Sequence, residues 1–519
     1  MKTTSIAAQP GSLPRALRPT FLAALLPVLF LLLIVQSGHA QHGSATWSSD
    51  GTENLWGSLA DWTPQVIPNG PEDTATFANS SVTYVDFDIF NDFSITVDGI
   101  HFVPGADAFT IANYSASMFF EGVGVTNDSG VTQSFITTGA AGESRYYFDG
   151  TSTAGTLTAY TMSGGAPGNS GYYGIVYFND QSSAAGGTFT LQGGVATNRF
   201  GGETLCSSSS TLDHASFTVN GGTNSGKGGL LSLANSANAA QSSLTANGGT
   251  TGGAGGVILF TDDSLGGTAR VQVYGNGELD ISGHNLPGVR IGLLRGSGLV
   301  LLGANSLTVG SRLSTVFSGV IQDGGASGGI GGTLVKTGRG NLTLSGANTY
   351  TGGATVSAGK LIVTNSTGSA TGTGPVQVDA GQLGGPGIIA GATTIGTGAT
   401  LMPEIGSSQQ VTLTFQSTLT FNADATYSYF VNSGNGLADK VVAKGVALGT
   451  GAQFTLRDRN ITNLPPGTVF TALSNTSVNP IAGTFANLPD GAVLTVGANI
   501  FQASYEGGDG NDLTLTVVQ

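Results

Sequence analysis

The chain has 519 residues, with 17 basic and 31 acidic side chains, 84 glycines and one cysteine. A net charge of −14 argues against nucleic acid as a partner, and a single cysteine excludes an internal disulfide framework. Charged residues make up 9% of the chain against ~25% in an ordinary globular protein, so the surface must be built from Thr, Ser, Asn and Gly rather than ion pairs.

The N-terminus reads as an export signal. Lys2, Arg15 and Arg18 precede the apolar run Phe21 to Val35, and small residues at Gly38 and Ala40 form a cleavage site. Some 15 apolar residues interrupted by Pro27 fall short of the ~20 that span a bilayer. Residues 1–40 are therefore expected to be removed, leaving 14 basic against 31 acidic residues, a charge of −17, and no membrane span.

Residues 41–95 follow, containing all three tryptophans, Trp47, Trp56 and Trp62. An aromatic plug is what the open end of a solenoid requires, because its last rung exposes core and strand edge. The alternative for exposed tryptophans is stacking on sugar rings. From Val82 to Thr137 short strand-like runs alternate with turns.

Between residues 145 and 280 the chain repeats itself. Copies of one unit close on paired glycines, from Tyr146–Gly165 to Val257–Gly277, and their period of roughly 27 to 29 residues lies in the range of solenoid repeats. Aligned on those glycines, three columns are apolar: Phe148, Phe178, Cys206, Leu233 and Phe260; Tyr160, Phe189, Phe217, Leu244 and Val271; Met162, Leu191, Val219, Ala246 and Val273. Between the last two runs Thr161, Thr190, Thr218, Thr245 and Gln272. Side chains alternate faces along a strand, so this column must point outward. The pattern predicts an all-β fold, a right-handed parallel β-helix spanning residues 96–400, in which each turn buries its apolar face only by stacking on its neighbours. The paired glycines are expected at corners, where positive φ or close backbone approach is needed. Cys206, in an apolar column, reads as a small buried hydrophobe rather than a reactive thiol.

Residues 332–365, GTLVKTGRGNLTLSGANTYTGGATVSAGKLIVTN, closely resemble the autotransporter-associated β-strand repeat, also called the passenger-associated transport repeat. The matching positions are Lys336, Gly338, Gly340, Leu342, Leu344, Ser345, Gly346, Asn348, Thr349, Tyr350, Thr351, Gly352, Val356, Gly359 and Leu361. The resemblance implies an exported β-helix, placed at the cell surface or beyond, with the repeat tied to transport rather than to catalysis. The remaining residues, 401–519, carry strand-like runs such as VTLTFQSTLTF and are expected to form a β-rich C-terminal cap. They lack the series of some 10-residue amphipathic strands of a translocating barrel, so the expectation is a passenger-like chain without its own barrel, dependent on export machinery and with the periplasm as the other destination.

Motifs that suggest chemistry are weak. GGDGNDLTL (507–515) resembles a calcium-binding nonapeptide through Asp509 and Asp512, but it occurs once and out of register, favouring a tight turn. GGTNSGK (221–227) imitates a phosphate loop with Gly228 where a metal-binding hydroxyl belongs and no helix after it. GASGG (325–329) fits a nucleophile elbow by composition alone. Asp180 and Asp262 share a column three rungs apart, ~14 Å at ~4.8 Å per rung, too far for the ~5 to 9.5 Å of a glycosidase carboxylate pair. Arg199 and Lys227 stand on one corner, either solvated or in contact with an acidic glycan.

No catalytic, cofactor or metal residue is therefore assigned. The expected function is a non-catalytic surface scaffold, structural or adhesive, whose partner is a surface polysaccharide or another matrix component. The alternatives are a polysaccharide-active enzyme and a carbohydrate-binding module.

Overall fold

In a computed structural model of the protein, the described residues are 42–48, 50, 53–87, 94–138, 142–167, 172–404 and 409–519. The export signal expected at 1–40 lies outside them. The described chain is a parallel β-solenoid of about 15 turns. Three ladders run along it. The first begins with Ala45–Trp47 on Gly70–Phe77 and proceeds through Ser144–Phe148, Gly174–Phe178 and Glu203–Cys206 to Val320–Gln322. The second runs from Tyr84–Phe87 through Thr156–Met162 and Gly186–Leu191 to Gln453–Asp458. The third starts as single bridges, Thr153 to Ser183 to Thr211 to Asn238 to Leu265, and widens after residue 280 into eight full strands from Gly288–Ile291 to Val446–Leu448.

The sequence columns are the observed registers. Phe148 stacks on Phe178, Phe178 on Cys206, and Leu233 on Phe260; Tyr160, Phe189, Phe217, Leu244 and Val271 follow one another up the second ladder, all buried. Each such ring or aliphatic side chain contributes roughly 1.5 to 3 kcal/mol by leaving water. Rings also stack rung on rung: Tyr160 on Phe189 at 4.7 Å and Phe189 on Phe217 at 4.4 Å, within 7° of parallel.

Except at Gly275, whose φ is 61°, the paired glycines serve close approach rather than positive φ. A Cβ on Gly193 would lie 2.2 Å from the Gly221 carbonyl oxygen, and one on Gly221 2.2 Å from the Gly249 nitrogen. The left-handed turns fall elsewhere, on stacked non-glycine residues: Asp180, Ser208, Asn235 and Asp262 with φ between 54° and 56°, and Ala185, Asp213 and Ala240 with φ between 44° and 50°.

The turns shorten along the chain. On the first ladder Ile175 stacks on Glu203, whereas later Val257 stacks on Glu278, Glu278 on Leu299 and Leu299 on Val320, each turn there a quarter shorter than the first. A uniform repeat of the longer length therefore gives too few turns. Parallel pairing also continues past the boundary at 401 expected for the C-terminal cap: Thr400 pairs with Thr426, Thr426 with Gln453, and Val441 with Leu473. The antiparallel sheet that closes this end starts only where Val469–Asn475 meets Asp512–Val517, which pairs in turn with Asn499–Gly507. Apolar strands this short carry too little information to separate a rung from a cap.

Both ends are plugged by aromatic rings. At the start, Trp47, Trp56 and Trp62 pack edge to face at 5.0 to 5.1 Å over Phe77. At the far end, Phe485 sits against Phe421 and Phe454, each at 5.5 Å. Both clusters close an otherwise open hydrophobic core.

Candidate functional site

The tryptophans belong to the core. Trp56 and Trp62 are 0% and 1% exposed, and their ring N–H groups donate to the Pro68 carbonyl at 3.2 Å and the Trp56 carbonyl at 2.8 Å. Trp47 donates to the Val82 carbonyl at 3.0 Å. Buried rings with satisfied N–H groups offer no face to a sugar, so the carbohydrate-binding reading of these three residues fails on geometry.

The carboxylates weighed and set aside as a catalytic pair act on turns. Asp180 accepts the Gly150 N–H at 3.1 Å, and Asp262 accepts the Asn235 N–H at 3.1 Å. Each carboxylate thus holds the turn one rung below its own left-handed position, where Asp and Asn tolerate positive φ better than most residues. Arg199 and Lys227 do stack, the Lys227 N–H reaching the Arg199 carbonyl at 2.8 Å, but the Lys227 ammonium lies 3.9 Å over the Phe200 ring. Glu203 nearby has its carboxyl pushed up by burial and by Glu143, with Lys227 opposing.

Asp512 accepts the Asn475 N–H at 2.8 Å within a tight turn that uses positive φ at Gly508 and Gly510. The GGTNSGK segment closes a turn through Gly226 N–H to Thr223 oxygen and leads into the strand Leu230–Leu233 rather than a helix. Ser327 of GASGG lies in a loop whose Ala326 and Ser327 N–H groups are held by Asp280 and Ser282. The Cys206 thiol is buried, which pushes its pKa far up and leaves it protonated. No group of three or more His, Cys, Asp or Glu that could hold a metal occurs among the described residues.

The most organised polar chemistry lies at 323–370. Lys336 is 2% exposed, and its ammonium donates to the carbonyls of Thr337, Gly338 and Ala358 at 2.6, 2.8 and 3.1 Å. It ties its own turn to the next rung, where Gly359 has φ of 72° and a Cβ on it would lie 2.4 Å from the Gly338 carbonyl oxygen. Asn348 bridges two other rungs, accepting the Ile321 N–H at 2.7 Å and donating to the Ala370 carbonyl at 2.5 Å. Asp323 accepts from the Gly331, Gly332 and Thr351 N–H groups and from the Thr351 hydroxyl. Tyr350 is fully buried. The staples satisfy backbone groups that short rungs leave without ladder partners. They bind backbone, not substrate.

A laterally extended parallel solenoid with plugged ends and inter-rung staples defines the class: a repeat protein whose surface is a ladder. Residues 334–363 of the chain match the model of the Passenger-associated-transport-repeat family, the segment that Lys336 and Asn348 staple. The repeat and the fold together fit an autotransporter passenger-like protein. No curated protein sequence matches the chain at a significant level. Among the described residues no helix is long and apolar enough to cross a membrane.

Proposed function

We propose that the protein is an exported, non-catalytic scaffold that holds a long, weakly charged ladder outside the cytoplasm in a structural or adhesive role. The observation that carries this reading is the transport-repeat match at 334–363 inside a parallel solenoid. The residue types at the most ordered polar centre support it, because Lys336, Asn348 and Asp323 commit their hydrogen bonds to groups of their own and neighbouring rungs. Export proceeds through cleavage after Ala40, and the partner is a surface polysaccharide or another matrix component.

Expression of the whole chain in a host with two membranes tests both halves of the proposal. The expected outcome is a mature N-terminus at Gln41 outside the cytoplasm, and no release of reducing ends or unsaturated uronates from a panel of neutral and acidic polysaccharides. Retention in the cytoplasm with residues 1–40 intact would sink export. Turnover on any polysaccharide would replace the scaffold with an enzyme.

A further inference from the structure

The chain is acidic overall, but stretches of it carry more basic than acidic side chains. Between residues 270 and 339 lie six basic side chains, Arg270, Arg290, Arg295, Arg312, Lys336 and Arg339, against three acidic ones, Glu278, Asp280 and Asp323. The rest of the chain from residue 41 onward has 8 basic against 28 acidic residues. Asp280 and Asp323 are taken up by turn N–H groups, and Glu278 is on the first ladder. The five arginines are all exposed, and none forms one of the ion pairs found among the described residues.

Two of these arginines, Arg270 and Arg312, line a lateral cleft of about 310 Å³ together with His214, Gln241, Thr268 and Leu293. His214, Gln241 and Thr268 each follow the left-handed turn residue of their own rung, Asp213, Ala240 and Gly267, so they form a column of exposed polar side chains one rung apart. Arg270 begins the neighbouring strand of the second ladder. The turn bearing Arg312 overhangs from later in the chain, and Arg339 stands one rung above it, because the Gly340 N–H bonds the Ser311 carbonyl at 2.9 Å. The Arg290 guanidinium lies against Gly310 at the rim, 3.2 Å from the position a Cβ would take.

We infer that this cleft binds an acidic polysaccharide of the polyuronate class, with Arg270 and Arg312 pairing with a uronate carboxylate and His214, Gln241 and Thr268 bonding sugar hydroxyls. Arginine forks match carboxylates bidentately. Amide, imidazole and hydroxyl groups at one-rung spacing suit a ligand carrying both donors and acceptors along its length. Duplex nucleic acid, a stiff polyanion, would meet along most of its length the field of the remaining chain, with its 8 basic and 28 acidic residues, whereas a flexible uronate chain can enter the local basic cleft. The inference rests on the scaffold reading and names its partner.

Affinity electrophoresis of the purified protein in gels containing polygalacturonate tests it, with plain dextran, dextran sulfate and duplex DNA as the comparison polymers. Retardation is expected with polygalacturonate and not with dextran, weakening as salt is added. The Arg270→Gln/Arg312→Gln variant should lose at least roughly tenfold in affinity, while Arg145→Gln, on the first ladder, should bind normally. Both substituted arginines are exposed, and an unchanged thermal melt confirms that folding is intact. Equal retardation of the double variant overturns the assignment. So does retardation by dextran sulfate or DNA as strong as that by polygalacturonate, which would mark an indiscriminate basic patch. Failure here leaves the export test untouched, so the two readings fall separately.

Discussion

The rungs between residues 144 and 280 and those between 288 and 400 form one solenoid held together in two ways. In the first group cohesion is aromatic up to Phe217: Phe148 and Phe178 stack along one ladder and Tyr160, Phe189 and Phe217 along the other, continuing the rings of Phe120 and Phe135 in the rungs before them. In the second the interior is mostly aliphatic, with Phe317 and Tyr350 buried singly, and among the described residues no ring pair occurs between Phe217 and Phe421. Its rungs are instead joined by polar staples from Lys336, Asn348 and Asp323. Turn length alone does not set the difference: Phe217, Leu244 and Val271 still stack at 27 residues per turn with no further ring pair, and Ser306 to Thr333 is again a 27-residue turn.

Phe217→Asp breaks the aromatic half most severely. A carboxylate placed among stacked rings has no partner, and the expected loss exceeds about 4 kcal/mol. Because a solenoid contacts only neighbouring rungs, hydrogen exchange should accelerate across 144–280 while the transport-repeat rungs keep their protection. An unchanged melting temperature would mean that the rings do not carry the stack.

Trp56→Ala should cost about 3 to 5 kcal/mol, the range for a buried aromatic truncated to Ala, but felt at the N-terminal end. Circular dichroism would retain most of its β signal while exchange rises in the first rungs. Loss of the entire signal would show that the plug nucleates the whole solenoid.

Much of the first region was legible in the sequence, and much of the second was not. The columns at Phe189 and Phe217 stand out because long turns repeat with nearly constant length and carry rings, so alignment on Gly194 and Gly222 recovers the true register. The role of those glycines was legible only as two alternatives, since a clash between backbones of adjacent rungs and a need for positive φ select the same residue. The short turns after residue 280 escape the same alignment: brief strands with aliphatic interiors look alike at any offset. Lys336 and Asn348 are visible as motif letters in a resemblance, yet nothing in their spacing says that a buried ammonium caps three carbonyls. The basic excess at 270–339 is plain in the composition, but nothing in the spacing places Arg312 in one cleft with Arg270.

Lys336→Met sharpens the contrast from the other side. It keeps the aliphatic stem and removes the donor from the carbonyls of Thr337, Gly338 and Ala358, with an expected loss of about 2 to 3 kcal/mol. Urea melts followed by exchange should show the loss in the transport-repeat rungs and leave those at 144–280 unaffected. Equal destabilisation of both regions would argue against independent modes of cohesion.

The smallest expected effect depends on pH and belongs to the stapled end. Asp439 is 4% exposed, and one of its oxygens accepts the Val411 N–H at 3.2 Å. Burial raises its pKa from 3.8 to about 6, the Val411 N–H opposes, Glu404 adds to the rise, and Arg459 and Lys360 pull it back down. Between the unfolded pKa and about 6 the folded chain therefore holds more protons than the unfolded chain. The stability this group contributes is fully present below the unfolded pKa and is lost as pH rises through about 6. Asp439→Asn keeps the acceptor for Val411 without the titration. The variant should be more stable than wild type at pH 7 by up to about 2 kcal/mol, and the gap should close towards pH 4. A difference between the two proteins that stays constant from pH 4 to 7 would show that Asp439 remains ionised in the fold, held by Lys360 and Arg459 more strongly than burial penalises it.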